Sequence, residues 1–193
     1  MMIETFPLKN AVTMAHALLL PYIPKAKVLV DMTCGNGHDT MFLAQHMNQS
    51  AQLYAFDIQS CAIEQTKKNM SGKDREYLHI IYGVGSHDQL VTQITEPLDV
   101  VVFNLGYLPA GDHAIYTQSA TTINACKICL NKIAKNGIIM LAAYPGTPAG
   151  EEEQHALKKF LQHVPQKEYD VSYWQPLNQI HNPPILYIIQ KRG

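Results

Sequence analysis

The chain has 193 residues, of which 47% are hydrophobic and 16% charged, which is enough for one globular domain with a substantial core and short for two. Its formal net charge of −1 gives no general electrostatic attraction to nucleic acid, so any such binding has to depend on a local group of residues. No apolar run reaches the roughly 18 residues that a membrane span needs, and the first residues lack the basic start and long apolar core of a signal peptide. We therefore expect a cytoplasmic protein with no membrane partner.

Apolar, β-branched runs alternate with segments of helical period along the chain. Strands are predicted at 27–32, 52–57, 77–82, 98–103, 137–144, 168–174 and 185–190. Helices are predicted near 9–20, 38–48, 60–70, 115–135 and 151–163. The fourth helix has the clearest period, and Lys135-Asn136-Gly137 predicts its C-terminus, because a cation and a glycine are favoured there.

This order of elements predicts the fold class. Strands that alternate with helices have to be parallel, with crossover helices on both faces, so we expect an α/β fold with a mostly parallel, doubly wound sheet. The last two strands are separated by a turn rich in Pro and Asn and predict a C-terminal antiparallel hairpin. We expect one domain over 1–193, with an N-terminal helical segment at 1–25, a ligand-binding core at 27–144 and a C-terminal helix with closing strands at 151–193.

The four cysteines fit a reducing compartment, because a chain of this size can bury enough surface without disulfides. Cys126 and Cys129 have the spacing of a metal or redox pair. No second Cys or His pair stands nearby, and the segment has a helical pattern. We therefore expect these thiols to pack in the core, with a ligand or redox role as the alternative, and we expect no metal site.

A glycine-containing turn follows the first predicted strand, at the sheet edge where doubly wound folds bind ligands. Gly35 and Gly37 let the backbone approach a ligand without a Cβ in the way. The helix that follows offers free N–H groups. The candidate cofactor-binding residues of this turn are Asp31, Gly35, Asn36, Gly37, His38, Asp39 and Thr40.

Two carboxylates indicate which cofactor the turn would bind. Asp57 ends the second strand, about 20 residues beyond the turn, where it can accept hydrogen bonds from both hydroxyls of a ribose; Gln59 is assigned to the same site. The turn lacks the third glycine of the dinucleotide fingerprint. Asp31 and Asp57 would repel a pyrophosphate but attract an ammonium and a sulfonium, which favours S-adenosyl-L-methionine over NAD. The alternative is that Asp31 caps a helix and Asp57 faces water.

The end of the third strand would lie beside the adenine. Ser86 can cap a short helix and also hydrogen-bond the edge of the ring, while His87 can stack on the ring or hydrogen-bond to it. These two residues complete the predicted cofactor site. The alternative for His87 is an ordinary surface histidine.

The fourth predicted strand ends on an asparagine. If the side-chain carbonyl of Asn104 and the main-chain carbonyl of Leu105 point the same way, they can hold an amino group and aim its lone pair at a sulfonium methyl. Tyr107 can cover the face of a planar base. The alternative is that Asn104 caps the backbone of its own turn.

The proton that an amine releases needs an acceptor. Asp112 or His113 could receive it, although either residue could instead start the next helix. The candidate catalytic residues are therefore Asn104, Tyr107 and Asp112.

Several of these segments together resemble one known family. They are the turn at 31–40, the pair Ser86-His87, the run 103–109 with Asp112, and Asn178 with Asn182-Pro183-Pro184. The run from Asn104 to Tyr107 looks like a variant of the Asn-Pro-Pro-Tyr motif of nitrogen methyltransferases. Over nearly its whole length the chain is similar to a small bacterial family once described as rRNA methylases and now associated with MnmM-type tRNA wobble-uridine methyltransferases.

This resemblance implies a Rossmann-like class I methyltransferase that uses S-adenosyl-L-methionine. It also implies a homodimer that binds the tRNA anticodon loop and methylates the exocyclic amine of 5-aminomethyl-2-thiouridine at the wobble position. An unpaired anticodon base can be splayed out and stacked on an aromatic such as Tyr107. Around 144–153 the sequence has Thr147 where the family pattern has histidine, which leaves the contribution of this residue open.

Two other functions are compatible with the same residues. One is S-adenosyl-L-methionine-dependent methylation of another RNA such as rRNA, of a small-molecule amine or of a protein amine. The other is a nucleotide-binding or scaffold module without enzymatic activity, because a fold by itself does not define a function.

Overall fold

A computed structural model describes residues 7–71, 78–106 and 117–193 of the chain. In these ranges the strands are β1 (Val28–Asp31), β2 (Gln52–Asp57), β3 (His79–Val84), β4 (Leu98–Asn104), β5 (Ile133–Ala143), β6 (Tyr169–Trp174) and β7 (Ile185–Lys191). The helices are α1 (Ala11–Leu19), α2 (His38–His46), α3 (Ser60–Met70), α4 (His87–Leu90), α5 (Ser119–Lys132) and α6 (Pro148–Leu161). Among them, no helix has the length and apolar character needed to cross a membrane.

All seven strands belong to one sheet in the order β3-β2-β1-β4-β5-β7-β6. The first five are mutually parallel, whereas β7 runs antiparallel to both β5 and β6. The chain therefore crosses over between β3 and β4, next to β1, and closes with a hairpin. The predicted α/β class, doubly wound sheet and C-terminal antiparallel hairpin are confirmed.

The predicted C-terminus of the fourth helix at 135–137 is wrong. Helix α5 ends at Lys132, and Ile133 already pairs with Leu98 of β4. Ile133 is buried at the start of β5. If α5 continued past Lys132, the Ile133 side chain would stay on the surface of the helix, so ending the helix here buries more apolar area. Asn136 then adopts a left-handed φ of 63°, which marks an irregular start of β5 before its regular pairing with β4 begins at Ile138.

Other boundaries differ less. Strand β3 begins at His79 rather than at residue 77, which lies outside the described residues, as does the predicted helix start at 115. Helix α6 begins earlier than predicted, at Pro148, because Thr147 provides its N-cap. The short helix α4 has no periodic signal of its own in the sequence.

Helices cover both faces of the sheet. On one face, side chains such as Val101 and Phe103 of β4 belong to a core cluster shared with α5 and α6. On the other, Val100 and Val102 belong to a cluster shared with α1 and α2. This alternation places β4, whose residues 100–103 are apolar and buried, at the centre of the molecule.

Cys126 and Cys129 lie on α5, and both side chains are buried in the first of these clusters. Burial raises the pKa of the Cys126 thiol to about 12, so this side chain stays a neutral thiol at physiological pH. The prediction that the pair packs in the core is confirmed. In the described ranges no cluster of three or more His, Cys, Asp or Glu side chains could hold a metal ion.

The parallel strands end at one common edge of the sheet. Their register brings the final residues Asp31, Asp57, Val84 and Asn104 to this edge. Two hydrogen bonds extend the pairing beyond β1, from Met32 N to Val102 O and from Cys34 N to Phe56 O. The turn after β1 is therefore held between the ends of β4 and β2.

Candidate active site

Asp31 is fully buried beneath the turn after β1. Its carboxylate accepts hydrogen bonds from Thr40 Oγ1 at 2.6 Å and from the main-chain N–H of Thr33 at 3.2 Å. Burial raises the pKa of Asp31 to about 8, and the nearby charges of Asp39 and Asp57 act in the same direction against the two hydrogen bonds. Thr40 therefore contacts Asp31, and neither of them reaches the surface in this structure.

The turn itself needs glycine at two positions. Gly35 and Gly37 have φ values of 51° and 84°, in the left-handed region that L-residues with a side chain rarely adopt. At Gly37 a Cβ would also meet Thr66 Oγ1 of α3 at 2.9 Å. Gly37 therefore lets α3 pack closely on the turn. From the sequence, its role was predicted only as allowing the backbone to approach a ligand.

Helix α3 clamps the turn by two further contacts. Thr66 Oγ1 donates to the carbonyl of Gly35 at 3.0 Å, and Asn69 Nδ2 donates to the carbonyl of Asn36 at 2.9 Å. The conformation of the turn is thus fixed by protein contacts on its α3 side. His38, the first residue of α2, is exposed.

Asp57 accepts one main-chain hydrogen bond at each carboxylate oxygen. Gly35 N–H donates to Oδ2 and Gln59 N–H donates to Oδ1, both at 2.9 Å. A carboxylate can accept about four hydrogen bonds, so both oxygens keep acceptor positions that no residue of the described ranges occupies. The structure therefore brings Gly35, Asp57 and Gln59 together as predicted neighbours.

Two apolar side chains beside Asp57 were missed in the sequence. Ile58 is 60% exposed and Val84, whose Cα pairs with Asp57, is 53% exposed. Exposed apolar side chains at a ligand-binding edge offer surface for a flat ring. An apolar residue at a strand end looks like any core residue in a sequence, so no signal distinguished these two.

The end of β3 differs from the prediction in part. Ser86 holds the N-cap position of α4, but its Oγ donates to Asp88 Oδ1 at 2.5 Å and does not cap the helix. His87 is buried with its ring edge-on to Phe103, so it is not a surface histidine. Burial lowers the pKa of His87, and its Nε2 has no hydrogen-bond partner among the described residues. An adenine contact for this pair stays a prediction.

Asn104 stands at the sheet edge between the turn and α2. Its main-chain N–H donates to Thr33 Oγ1 at 2.7 Å, and its side-chain Nδ2 donates to Asp39 Oδ2 at 3.3 Å. The side chain therefore points along the edge and donates to α2, whereas most of the turn that it could cap lies outside the described residues. The structure brings Asn104 and Asp39, which the sequence had assigned to different parts of the site, into direct contact.

Two residues that the sequence did not single out join this contact. His16 of α1 is 2.7 Å from Asp39 Oδ1 through its Nε2. Tyr144, just after β5, lies beside Asn104 and Asp39; burial, and then the charge of Asp39, raises its pKa to about 12, while the Asn104 side chain acts in the opposite direction. No feature of the sequence indicated that His16 belongs to the site, because it resembles any polar residue of an amphipathic helix.

Two residues that flank the range 107–116, Gly106 and Thr117, are hydrogen-bonded to each other. Gly106 N–H donates to Thr117 Oγ1 at 2.7 Å, and Thr117 N–H donates to Gly106 O at 2.9 Å. Buried Glu153 of α6 accepts from Thr117 Oγ1 at 2.7 Å and from Thr122 Oγ1 at 2.8 Å. Tyr107, Asp112 and His113, to which the sequence assigned roles, lie outside the described residues.

Thr147 has a structural contact of its own. Its Oγ1 accepts a hydrogen bond from Gly150 N–H at 3.1 Å and caps α6. A Cβ on Gly150 would lie 2.2 Å from the carbonyl oxygen of Tyr144, so the helix start packs tightly against the chain beside the site. The threonine thus keeps α6 in place.

Comparison with known proteins gives consistent matches. A family model described as "Putative rRNA methylase" matches residues 53–190. The chain is similar to the chloroplastic tRNA (mnm(5)s(2)U34)-methyltransferase of Arabidopsis thaliana, with 31% identity over 197 residues that cover 97% of this chain and 72% of that protein.

Two solved structures are similar over almost their whole length. A "putative rRNA-methylase" from Clostridium thermocellum superposes with a TM-score of 0.90 and 36% identity, covering 95% of this chain and 98% of the other. A "putative methyltransferase" from Streptococcus mutans, solved in complex with SAH, gives a TM-score of 0.83 and 33% identity with the same coverage of 95% and 98%. The fold described above is therefore the fold of these proteins.

The raised pKa of Asp31 predicts a pH-dependent stability. The folded protein keeps a proton on Asp31 that the unfolded chain releases near pH 3.8, so the free energy of unfolding should fall as pH rises from there to about 8. Urea titrations across this range should show the fall in wild type and a smaller one in Asp31→Asn. An equal slope in both proteins would contradict the assignment.

Glu153 should be important for stability. Glu153→Ala leaves two threonine hydroxyls without their acceptor and should lower the free energy of unfolding by about 2–3 kcal/mol. Urea denaturation measures the loss. Glu152→Ala, an exposed neighbour on the same helix, is the matched control, and equal effects of the two substitutions would refute the role of Glu153.

Proposed function

The chain belongs to the family described as "Putative rRNA methylase", and we propose that it methylates the exocyclic amine of 5-aminomethyl-2-thiouridine at the wobble position of tRNA. It is a methyltransferase that uses S-adenosyl-L-methionine, as its family and relatives establish. The target nucleoside, the anticodon loop as the binding partner, the homodimer, the single catalytic domain and the cytoplasmic location are parts of the proposal.

The position of Asn104 carries this proposal. It ends the central strand β4. Its main-chain N–H donates a hydrogen bond to Thr33, which lies in the turn between β1 and α2. An amide at this edge can accept a hydrogen bond from an amine and aim the nitrogen lone pair at a methyl group held above the turn. This geometry suits an alkyl amine, which is the group that 5-aminomethyl-2-thiouridine presents.

The residues of the edge fit the cofactor. Asp57 has acceptor positions for ribose hydroxyls that no described residue occupies, Asp31 supports the turn from below through Thr33 and Thr40, and Ile58 with Val84 offers apolar surface for the adenine. When bound, S-adenosyl-L-methionine supplies a methyl group on a sulfonium and leaves as neutral S-adenosylhomocysteine, while the amine gains the methyl and loses one proton.

The contribution of this chain is then mainly positional. Asn104 holds the amine in line with the methyl group. Holding two reactants in this way can supply most of the rate for an already activated donor. Ser86 and His87 would complete the site on the adenine side.

The relative from Arabidopsis thaliana supports tRNA as substrate, since that protein is named a tRNA (mnm(5)s(2)U34)-methyltransferase. A small cationic amine is the second candidate, because the net charge is −1 and two carboxylates that are not fully buried, Asp39 and Asp57, stand at this edge. Binding to tRNA should weaken steeply with added salt, whereas turnover of a free amine should not.

Nucleoside mass spectrometry tests the proposal. In tRNA from a strain that lacks the gene, 5-methylaminomethyl-2-thiouridine should be lost and its unmethylated amine should accumulate. The purified enzyme with S-adenosyl-L-methionine should restore the methylated form in that tRNA. An unchanged tRNA profile together with a lost rRNA methyl group would overturn the proposed substrate.

Asp57→Ala should weaken cofactor binding. Loss of charged hydrogen bonds to the ribose should cost about 1–3 kcal/mol in binding free energy, measured by titration calorimetry. Asp99→Ala is a matched control, since Asp99 also accepts two main-chain hydrogen bonds, from Lys27 and Val28, but at the opposite end of the sheet. Equal affinity of the two variants for the cofactor would show that Asp57 does not bind it.

Asn104→Ala should separate binding from chemistry. The cofactor should bind as in wild type, because Asn104 faces the substrate side, while single-turnover methyl transfer should fall by about 100-fold through loss of alignment. Calorimetry and a rapid-quench assay measure the two quantities. A single-turnover rate equal to that of wild type would refute the amine-holding role.

A further inference from the structure

The side chain of Asn104 makes contacts that no role in cofactor binding explains. Its Nδ2 donates to Asp39 Oδ2 at 3.3 Å, and the other oxygen of Asp39 is 2.7 Å from His16 Nε2. The three side chains form a row from α1 through α2 to the end of β4. This row lies at the proposed amine-binding position.

The carboxylate determines which way the amide faces. An ionised carboxylate only accepts hydrogen bonds, and an amide has donors on Nδ2 and acceptors on Oδ1. Asp39 can therefore pair only with Nδ2, which turns Oδ1 away from α2. If the amide rotated by half a turn, two acceptors would face each other and an N–H would point at the substrate amine.

His16 in turn fixes Asp39. Its ring stacks on Phe42 of α2, with centroids 3.7 Å apart and planes 2° from parallel. The side chains of His16 and Asp39 are 24% and 13% exposed. Both are thus confined by packing, so the carboxylate has little freedom to leave the amide.

We propose that Asp39 and His16 are positioning residues that hold the Asn104 amide with its carbonyl oxygen toward the substrate amine. The proposal rests on the amine-methylating function argued above. Helix α1, which precedes the first strand, thereby contributes to the alignment of the substrate.

The orientation of the amide can be measured without any substrate. In protein labelled with 15N-asparagine, the side-chain resonances of Asn104 are identified by their absence in Asn104→Ala. An amide proton bonded to a carboxylate should be shifted downfield, and Asp39→Asn should remove the shift. His16→Phe keeps a ring on Phe42 but lacks the N–H, so it should weaken the shift, while His16→Gln, which retains a donor, should preserve most of it.

His46→Phe is the matched control. His46 belongs to the same aromatic cluster, 4.7 Å from Phe42, but its Nδ1 bonds to the carbonyl of Phe42 rather than to Asp39. This variant should leave the Asn104 resonances in place. Resonances that do not respond to Asp39→Asn, or that respond equally to His46→Phe and His16→Phe, would overturn the proposal.

Kinetics supply the second measurement. Single-turnover methyl transfer at saturating cofactor should fall by about 10-fold in His16→Phe and Asp39→Asn. His16→Phe should leave the cofactor affinity unchanged, and His16→Gln should recover part of the rate. If wild type methylates no tRNA, the proposed function fails, and the amide resonances alone decide the positioning role. If wild type is active and both variants keep its rate, the positioning proposal is refuted while the function stands.

Discussion

The hydrogen bond from Thr40 to the buried carboxylate of Asp31 fixes the relation between the first strand and the helix that follows it. With α2 anchored there, the intervening turn has to pass through left-handed conformations at its glycines. Asp39, one residue before Thr40 on the same helix, then bonds to His16 and Asn104. Two adjacent side chains thus link one helix to β1, to β4 and to α1, and the site is built around that link.

This construction concentrates negative charge at one sheet edge. The charges of Asp39 and Asp57 add to the burial of Asp31 in raising its pKa, so the three carboxylates destabilise one another when all are ionised. A cationic ligand at the edge relieves this repulsion, whereas a phosphate would increase it. The electrostatics of the folded chain therefore discriminate between adenosine cofactors before any contact with the adenine is considered.

Much of the fold could be predicted, because strand and helix periods alternate and parallel strands place their ends together. The positions of Asp57 and Asn104 at the ends of β2 and β4 were predicted in this way. His16 and Tyr144 could not, since their contacts depend on how α1 docks and how β5 ends, which no local pattern encodes. The same reason explains α5, where burial of Ile133 in the sheet overrides the helix-ending signal of the residues after it. Ser86 does precede a short helix, as predicted, but its hydroxyl donates to the carboxylate of Asp88 and makes no N-cap hydrogen bond.

The reciprocal hydrogen bonds between Gly106 and Thr117, together with the bond from Thr117 to Glu153, join the end of β4 to the start of α5 and to α6. These bonds are made by residues on either side of 107–116, so substitutions inside that range do not remove them. The candidate catalytic residues Tyr107 and Asp112 fall within it. Changes at these two positions are therefore expected to alter activity more than the free energy of unfolding, so that reactivity and thermodynamic stability evolve separately in this part of the chain.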